Sequence, residues 1–145
     1  MSRSRALGLG AVLLLGVSCL SAPTETAPAT IIVRGSWSYA SVQSGGGSAT
    51  IANGTLTLSQ DSTVRFTGTL DANEQDSQGQ LRRIAGVVSG HTIDESLVEF
   101  DMVIDPLTTR RHNGTVNGDS LTGSWVQTSD AGIVASGTFR AHRVP

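Results

Sequence analysis

Residues 95–105 read Glu-Ser-Leu-Val-Glu-Phe-Asp-Met-Val-Ile-Asp. Val98, Phe100, Met102 and Ile104 share one parity. Glu95, Glu99, Asp101 and Asp105 share the other, together with Leu97 and Val103. Side chains of an extended chain alternate between two faces, so this stretch is a strand with carbon on one side and carboxylates on the other.

The same alternation runs through the chain from Ile31 onward, and no stretch there shows a capped 3.6-residue apolar period. It predicts eight strands, roughly at 31–42, 49–59, 62–71, 80–90, 95–105, 109–117, 120–128 and 132–144. The breaks carry turn chemistry: Ser44 to Ser48, Gln60-Asp61, Asp71 to Gly79, Asp105-Pro106 and Asn117-Gly118-Asp119. Asn117-Gly118 is the strongest short hairpin signal, because both residues tolerate positive φ. All connections are short enough for antiparallel neighbours, and none has room for a crossover helix.

Six times the chain repeats glycine, then Ser or Thr, then an apolar residue, as in Gly35-Ser36-Trp37, Gly114-Thr115-Val116 and Gly137-Thr138-Phe139. Glycine inside a strand costs ~0.5–1 kcal/mol relative to alanine. A tightly coiled sheet gives these glycines a use, because an inward glycine lets a neighbouring ring lie across it. The inward face then comprises Val33, Gly35, Trp37, Tyr39, Leu56, Leu58, Val64, Phe66, Gly68, Leu70, Ile84, Gly86 and Val88. Its second half is Val98, Phe100, Met102, Ile104, Gly114, Val116, Leu121, Gly123, Trp125, Ile133, Ala135, Gly137 and Phe139. Eight meandering strands with one apolar face bury it by closing into an all-β, antiparallel up-and-down barrel. An open curled sheet or a two-sheet sandwich is the alternative. With six aromatic residues in all, the girdles of a membrane-spanning barrel are missing.

The N-terminus is of a different kind. Arg3 and Arg5 precede Ala6 to Val17, twelve residues of Ala, Leu, Gly and Val. At ~1.5 Å per residue such a run reaches ~18 Å, short of a ~30 Å hydrocarbon core. A basic start and a short apolar run describe a secretory signal over residues 1–18. Cys19 is the single cysteine of the chain. Residues 19–30, Cys19 followed by Leu-Ser-Ala-Pro-Thr-Glu-Thr-Ala-Pro-Ala-Thr, read as a tether leading to a barrel domain at 31–145.

Val17-Ser18-Cys19 resembles the lipobox of bacterial lipoproteins, with Gly16 where that pattern usually has Leu. The resemblance implies acylation of Cys19 and anchoring to a membrane by lipid rather than by a spanning helix. Leu20, in place of Asp, implies the outer membrane of a Gram-negative envelope. Cleavage after Ala22 or Ala29, giving a soluble periplasmic or secreted protein, is the alternative. Gly35-Ser36-Trp37 is similar to the G-x-W signature of lipocalins, in which a late Arg packs over the Trp. Arg143 has the inward parity for that role and Arg140 does not. The eight-strand order, and Phe66-Thr67-Gly68-Thr69-Leu70, are similar to avidins. Both resemblances imply a small barrel of the calycin kind and carry over no ligand.

Chemistry-bearing residues are few. All ten basic residues are Arg, against twelve acidic ones, for a net charge of −2. That balance gives no electrostatic case for nucleic acid. His91, His112 and His142 are 21 and 30 residues apart, without metal-ligand spacing. Glu95, Glu99 and Asp101 fall on the solvated face, and no G-x-S-x-G is present. The chain thus reads as non-catalytic, with no cofactor and no metal. Arg82-Arg83 and Arg110-Arg111 read as soluble strand-edge charges. In a second reading, Arg110 and His112 enter the barrel mouth and orient an anionic head group. The bulky interior residues are Trp37, Tyr39, Phe66, Phe100, Trp125 and Phe139. They form a packed core, or they line a void for a small hydrophobic or amphipathic ligand, with Trp37, Tyr39, Phe66, Phe100, Arg110, His112 and Trp125 as candidate contacts. The function expected is ligand binding in or at the mouth of the barrel. Its alternative is a solid-cored structural or interaction module of the envelope.

Overall fold

The computed structural model describes residues 30–145 apart from Ser48. Signal, lipobox and most of the tether, including Cys19, lie outside the described residues. Eight strands follow one another: β1 (Gly35–Gly45), β2 (Thr50–Gln60), β3 (Arg65–Asp76), β4 (Leu81–Thr92), β5 (Leu97–Asp105), β6 (Thr108–Asn117), β7 (Ser120–Ser129) and β8 (Gly132–Arg143). Each pairs antiparallel with the next, and β8 returns to pair with β1, from Trp37↔Arg143 upward. The sheet is therefore a closed meander barrel. The open sheet and the sandwich are excluded by the β1–β8 ladder.

Closure puts the carbon-rich parity on the axis. Trp37, Tyr39, Leu56, Phe66, Leu70, Val88, Val98, Phe100, Met102, Leu121, Trp125 and Phe139 are all buried. The rings pack directly on one another. Phe100 stacks on His112 at 4.4 Å between centroids, Phe139 stands edge-on to both, and Tyr39 lies over Phe139 at 5.9 Å. The inward glycines make that packing possible. A Cβ at Gly137 would lie 2.8 Å from the Trp125 ring, and one at Gly114 would lie 2.9 Å from the Phe139 ring. The rings lie across the glycines, so the space these residues leave is filled, and the core reading of the interior holds over the void.

The two ends of the barrel differ. At the end holding the β2–β3, β4–β5 and β6–β7 connections, residues 31–34 are not the expected start of the first strand. They cross the barrel as a plug, with Ile31 and Val33 buried. Gln60 fixes the plug by accepting from the Val33 N–H (3.0 Å) and donating to the Ile31 carbonyl (2.9 Å). Trp37 donates its indole N–H to the Val33 carbonyl at 2.9 Å. The Arg143 guanidinium lies 4.3 Å over the Trp37 ring and donates to Asp119 and to the Ile32 and Arg34 carbonyls. This is the arrangement the lipocalin resemblance implied for Arg143.

At the other end, the mouth, three ladders slip register, at Gln43/Gly45, Val103/Asp105 and Gln127/Thr128. Bulges bend a strand and increase its twist, so the mouth is less regular than the plugged end. Several sequence expectations fail at strand ends for this kind of reason. Val64 (49% exposed) precedes β3, and Ile133 (71% exposed) stands on the rim, beyond the slip in the β7–β8 ladder; neither faces inward. Asp71 to Asp76 are not a loop but the upper half of β3. The β6–β7 turn has Gly118-Asp119 at its centre, since Asn117 pairs with Ser120, and Gly118 alone of the three has positive φ.

Candidate functional site

The upper half of the barrel carries the polar side chains that parity sends inward. Ser41, Glu74, Arg110 and His112 are the buried polar residues among the described part of the chain. Arg110 and Arg111 are adjacent on β6, so alternation sends one out and one in. Arg111 forms an exposed pair with Asp101 across β5, at 2.8 and 3.0 Å. Arg110 is 1% exposed, which overturns the strand-edge reading for this residue and leaves the mouth reading. Arg82 and Arg83 do stand at the barrel's lip, both well exposed, paired to Glu74 and Asp71 of β3.

Around Arg110 the partners come from β3 and β7, and the network extends through Glu74 to β2 and β4. Its Nη2 donates to Glu74 Oε1 (3.2 Å) and to Gln127 Oε1 (2.8 Å), and its Nε donates to Gln127 at 3.2 Å. Its guanidinium lies 4.2 Å from the centroid of the Trp125 ring, a cation–π contact in a desolvated place. Thr50 donates to Glu74 Oε1 at 3.3 Å, and Arg82 donates to Glu74 Oε2 at 2.5 Å. Burial by itself would raise the Glu74 pKa; Arg82 and Arg110 outweigh it and hold the carboxyl below the usual value. Glu74 is thus an anion between two cations, and the three together carry one excess positive charge.

Below this group lies a neutral pair. Tyr39 and His112 Nε2 are 3.1 Å apart, and His112 Nδ1 is 3.2 Å from the Arg110 carbonyl. A carbonyl only accepts, so Nδ1 carries the ring proton and Nε2 accepts from the Tyr39 hydroxyl. Burial, reinforced by the Arg110 charge, lowers the His112 pKa to about 3. Burial likewise raises that of Tyr39. Both groups are uncharged at neutral pH.

Two donors in this region have no acceptor among the described residues: Arg110 Nη1 and Trp125 Nε1. A buried donor left without an acceptor costs ~1–3 kcal/mol, more for a charged group. Both belong to residues within 1% of complete burial, stacked on one another beneath the mouth.

The candidate contacts named from sequence therefore fall into three groups. Arg110, Trp125, His112 and Tyr39 are brought together. Phe66 and Phe100 are core neighbours, 6.2 Å apart and edge-on. Trp37 is at the plugged end, its N–H already bonded to Val33, and is not part of the site. The residues sequence reasoning missed are Glu74, Gln127 and Thr50. Glu74 continues the parity Leu70-Ala72-Glu74, a signal hidden by the polar composition of residues 71–79. His91 and His142 lie on strand faces away from His112, and His142 is 3.1 Å from the Ser120 hydroxyl. The three histidines are not brought together.

No protein-family model and no curated protein matches this chain. Solved structures do. EF1p2_mFAP2b bound to DFHBI superposes with a TM-score of 0.58 at 17% identity, over 77% of this chain and 93% of that one. A de novo designed fluorescence-activating beta barrel gives 0.58 and 17%, over 82% and 100%. The S-type phycobiliprotein lyase CPES from Guillardia theta gives 0.52 and 7%, over 78% and 89%. At these identities the likeness is one of fold: a small β-barrel.

Proposed function

We propose that this protein is a non-catalytic barrel that binds a small amphipathic ligand at its mouth, holding an anionic head group against Arg110 and Trp125. The observation that carries the reading is the pair of buried donors without acceptors, Arg110 Nη1 and Trp125 Nε1. One carboxylate would satisfy both and offset the excess charge of the Arg82–Glu74–Arg110 group. Neighbouring His112 and Tyr39 are neutral, so they do not repel an anion. Two of the similar barrels are named for fluorescence activation or for a bound small molecule, which supports the capacity of the architecture and says nothing of this chain's ligand. The non-catalytic part rests on Glu74, the one buried carboxylate among the described residues. Clamped by two arginines, it is a poor proton donor or acceptor.

The test is calorimetry with octanoate, octanol and octylamine. Octanoate binds, octanol binds at least tenfold more weakly, and octylamine does not bind. Arg110→Met, similar in volume, weakens octanoate at least tenfold while thermal melting confirms that the variant folds. Absence of binding by all three at millimolar concentration refutes the reading. The filled axis favours the second reading, a solid-cored interaction module of the envelope, and in that case in-cell crosslinking recovers a protein partner instead.

The localisation proposed is the cell envelope, with Cys19 acylated. Membrane fractionation of wild type and Cys19→Ala decides it: the variant moves to the soluble fraction, or the lipid-anchor proposal fails.

A further inference from the structure

Resting on the head-group reading above, we propose that the apolar chain of the bound amphiphile leaves the mouth sideways, through a notch in the barrel wall between β4 and β5. It does not descend the axis.

The wall is incomplete at that place. β3 and β4 stay in register for eleven pairs, from Arg65↔His91 to Gln75↔Leu81. β4 and β5 pair only from Thr92↔Val98 to Val87↔Val103. Residues 81–86 of β4 therefore have β3 on one side and no ladder partner on the other. The reason lies in β5, which slips register between Val103 and Asp105 and then turns at Pro106-Leu107 into β6. A concavity of about 520 Å³ occupies the gap, bounded by Asp71, Arg83, Ala85, Val87, Val103 and Ile104.

The notch and the donor pair are neighbours. Ile104 lines the notch and points inward from β5, two residues beyond Met102, which pairs with Arg110 of β6. β4 and β6 are two strand spacings apart, roughly 10 Å. The floor is thin and adaptable. Gly86 has no side chain, and a Cβ there would lie 2.5 Å from the Val103 carbonyl oxygen and 2.9 Å from Met102, the latter an unbranched side chain able to take other rotamers. The outer lip is mixed, with Val87 66% and Val103 46% exposed beside the exposed Arg83–Asp71 ion pair. The axial route, by contrast, is closed by the stack of Tyr39, Phe139, Phe100 and His112. With the axis closed, the chain of a head group held at Arg110 passes over Ile104 into the notch, along Ala85, Val87 and Val103. The occupant assigned is the saturated chain of a monocarboxylate.

The experiment is a chain-length series, butyrate to decanoate, on wild type, Val87→Asp and Ala85→Phe, paired with a decanoate carrying a nitroxide at its far end. Both substitutions are on the outer surface, away from the core and from Arg110. Affinity of the wild type should rise roughly fourfold per added methylene. Val87→Asp should flatten that dependence, and Ala85→Phe should block the longer acids, while butyrate binds all three alike. The nitroxide should broaden the amide signals of Val87 and Val103 and leave those of Leu56 and Phe66 sharp. Affinity independent of chain length, or broadening at Leu56 and Phe66, overturns the lateral path while the head-group reading stands. If no acid binds at any length, the head-group reading falls and takes the notch with it.

Discussion

His112 and Glu74 show how one residue's surroundings set its behaviour. His112 is neutral in the fold with a pKa of about 3, against an ordinary value of 6.5. The unfolded chain binds that proton more readily, so the stability contributed is complete above pH 6.5. It is lost as the pH falls toward 3, at up to ~1.4 kcal/mol per pH unit. Glu74, also depressed, has the same sign, its contribution being lost below the ordinary glutamate range. Urea midpoints between pH 7 and pH 3.5 should therefore fall steadily in the wild type. In His112→Gln the fall should be much shallower down to about pH 4.5 and steepen only below it. An unchanged slope in the variant would mean that His112 is not the group responsible. Sequence parity sent Arg110 and His112 inward, but Glu74 was obscured: the unbroken polar or small run from Asp71 to Gly79 resembles a turn. What decides that segment is its ladder to β4 and a buried arginine on a strand 36 residues away, a tertiary partner that local pattern cannot see.

At the scale of elements, the strands are set by alternation and the ends by side-chain detail. The eight strands were legible because each has one greasy parity; their limits were not, because bulges and plugs depend on long-range contacts. Gly137 and Gly132 separate two uses of glycine. At Gly137 a Cβ would meet the Val42 carbonyl at 2.1 Å and the Trp125 ring at 2.8 Å; at Gly132, with φ +95°, it would meet nothing within 4 Å. Gly137→Ala should cost about 2–3 kcal/mol through overpacking, and Gly132→Ala about 1 kcal/mol through backbone strain alone. Chemical denaturation of the two variants gives the comparison, and a larger loss at Gly132 would show the packing account of the inward glycines to be mistaken. At the plugged end, Gln60→Ala removes both bonds to the segment at 31–33. It should cost about 1–3 kcal/mol and speed amide exchange at Val33, without altering amphiphile binding at the opposite end.

For the whole molecule, the asymmetry between its ends is what matters. One end is shut by Ile31, Val33 and the Arg143–Trp37 contact. The other has slipped ladders, a gap between β4 and β5, and a buried cation with free donors. Between them the axis is filled by rings, and the binding we propose is therefore assigned to the mouth. Barrel closure followed from the apolar parity of consecutive strands, but whether the interior was solid or hollow depended on how rings lie across glycines, a matter of rotamers beyond the pattern. The chain has two tryptophans, one at each end, and this supplies an internal control. In a nitrogen-15 spectrum titrated with octanoate, the indole N–H signal of Trp125 should shift progressively and saturate, while that of Trp37, already bonded to Val33, stays fixed. A shift of the Trp37 signal with Trp125 unmoved would contradict the account.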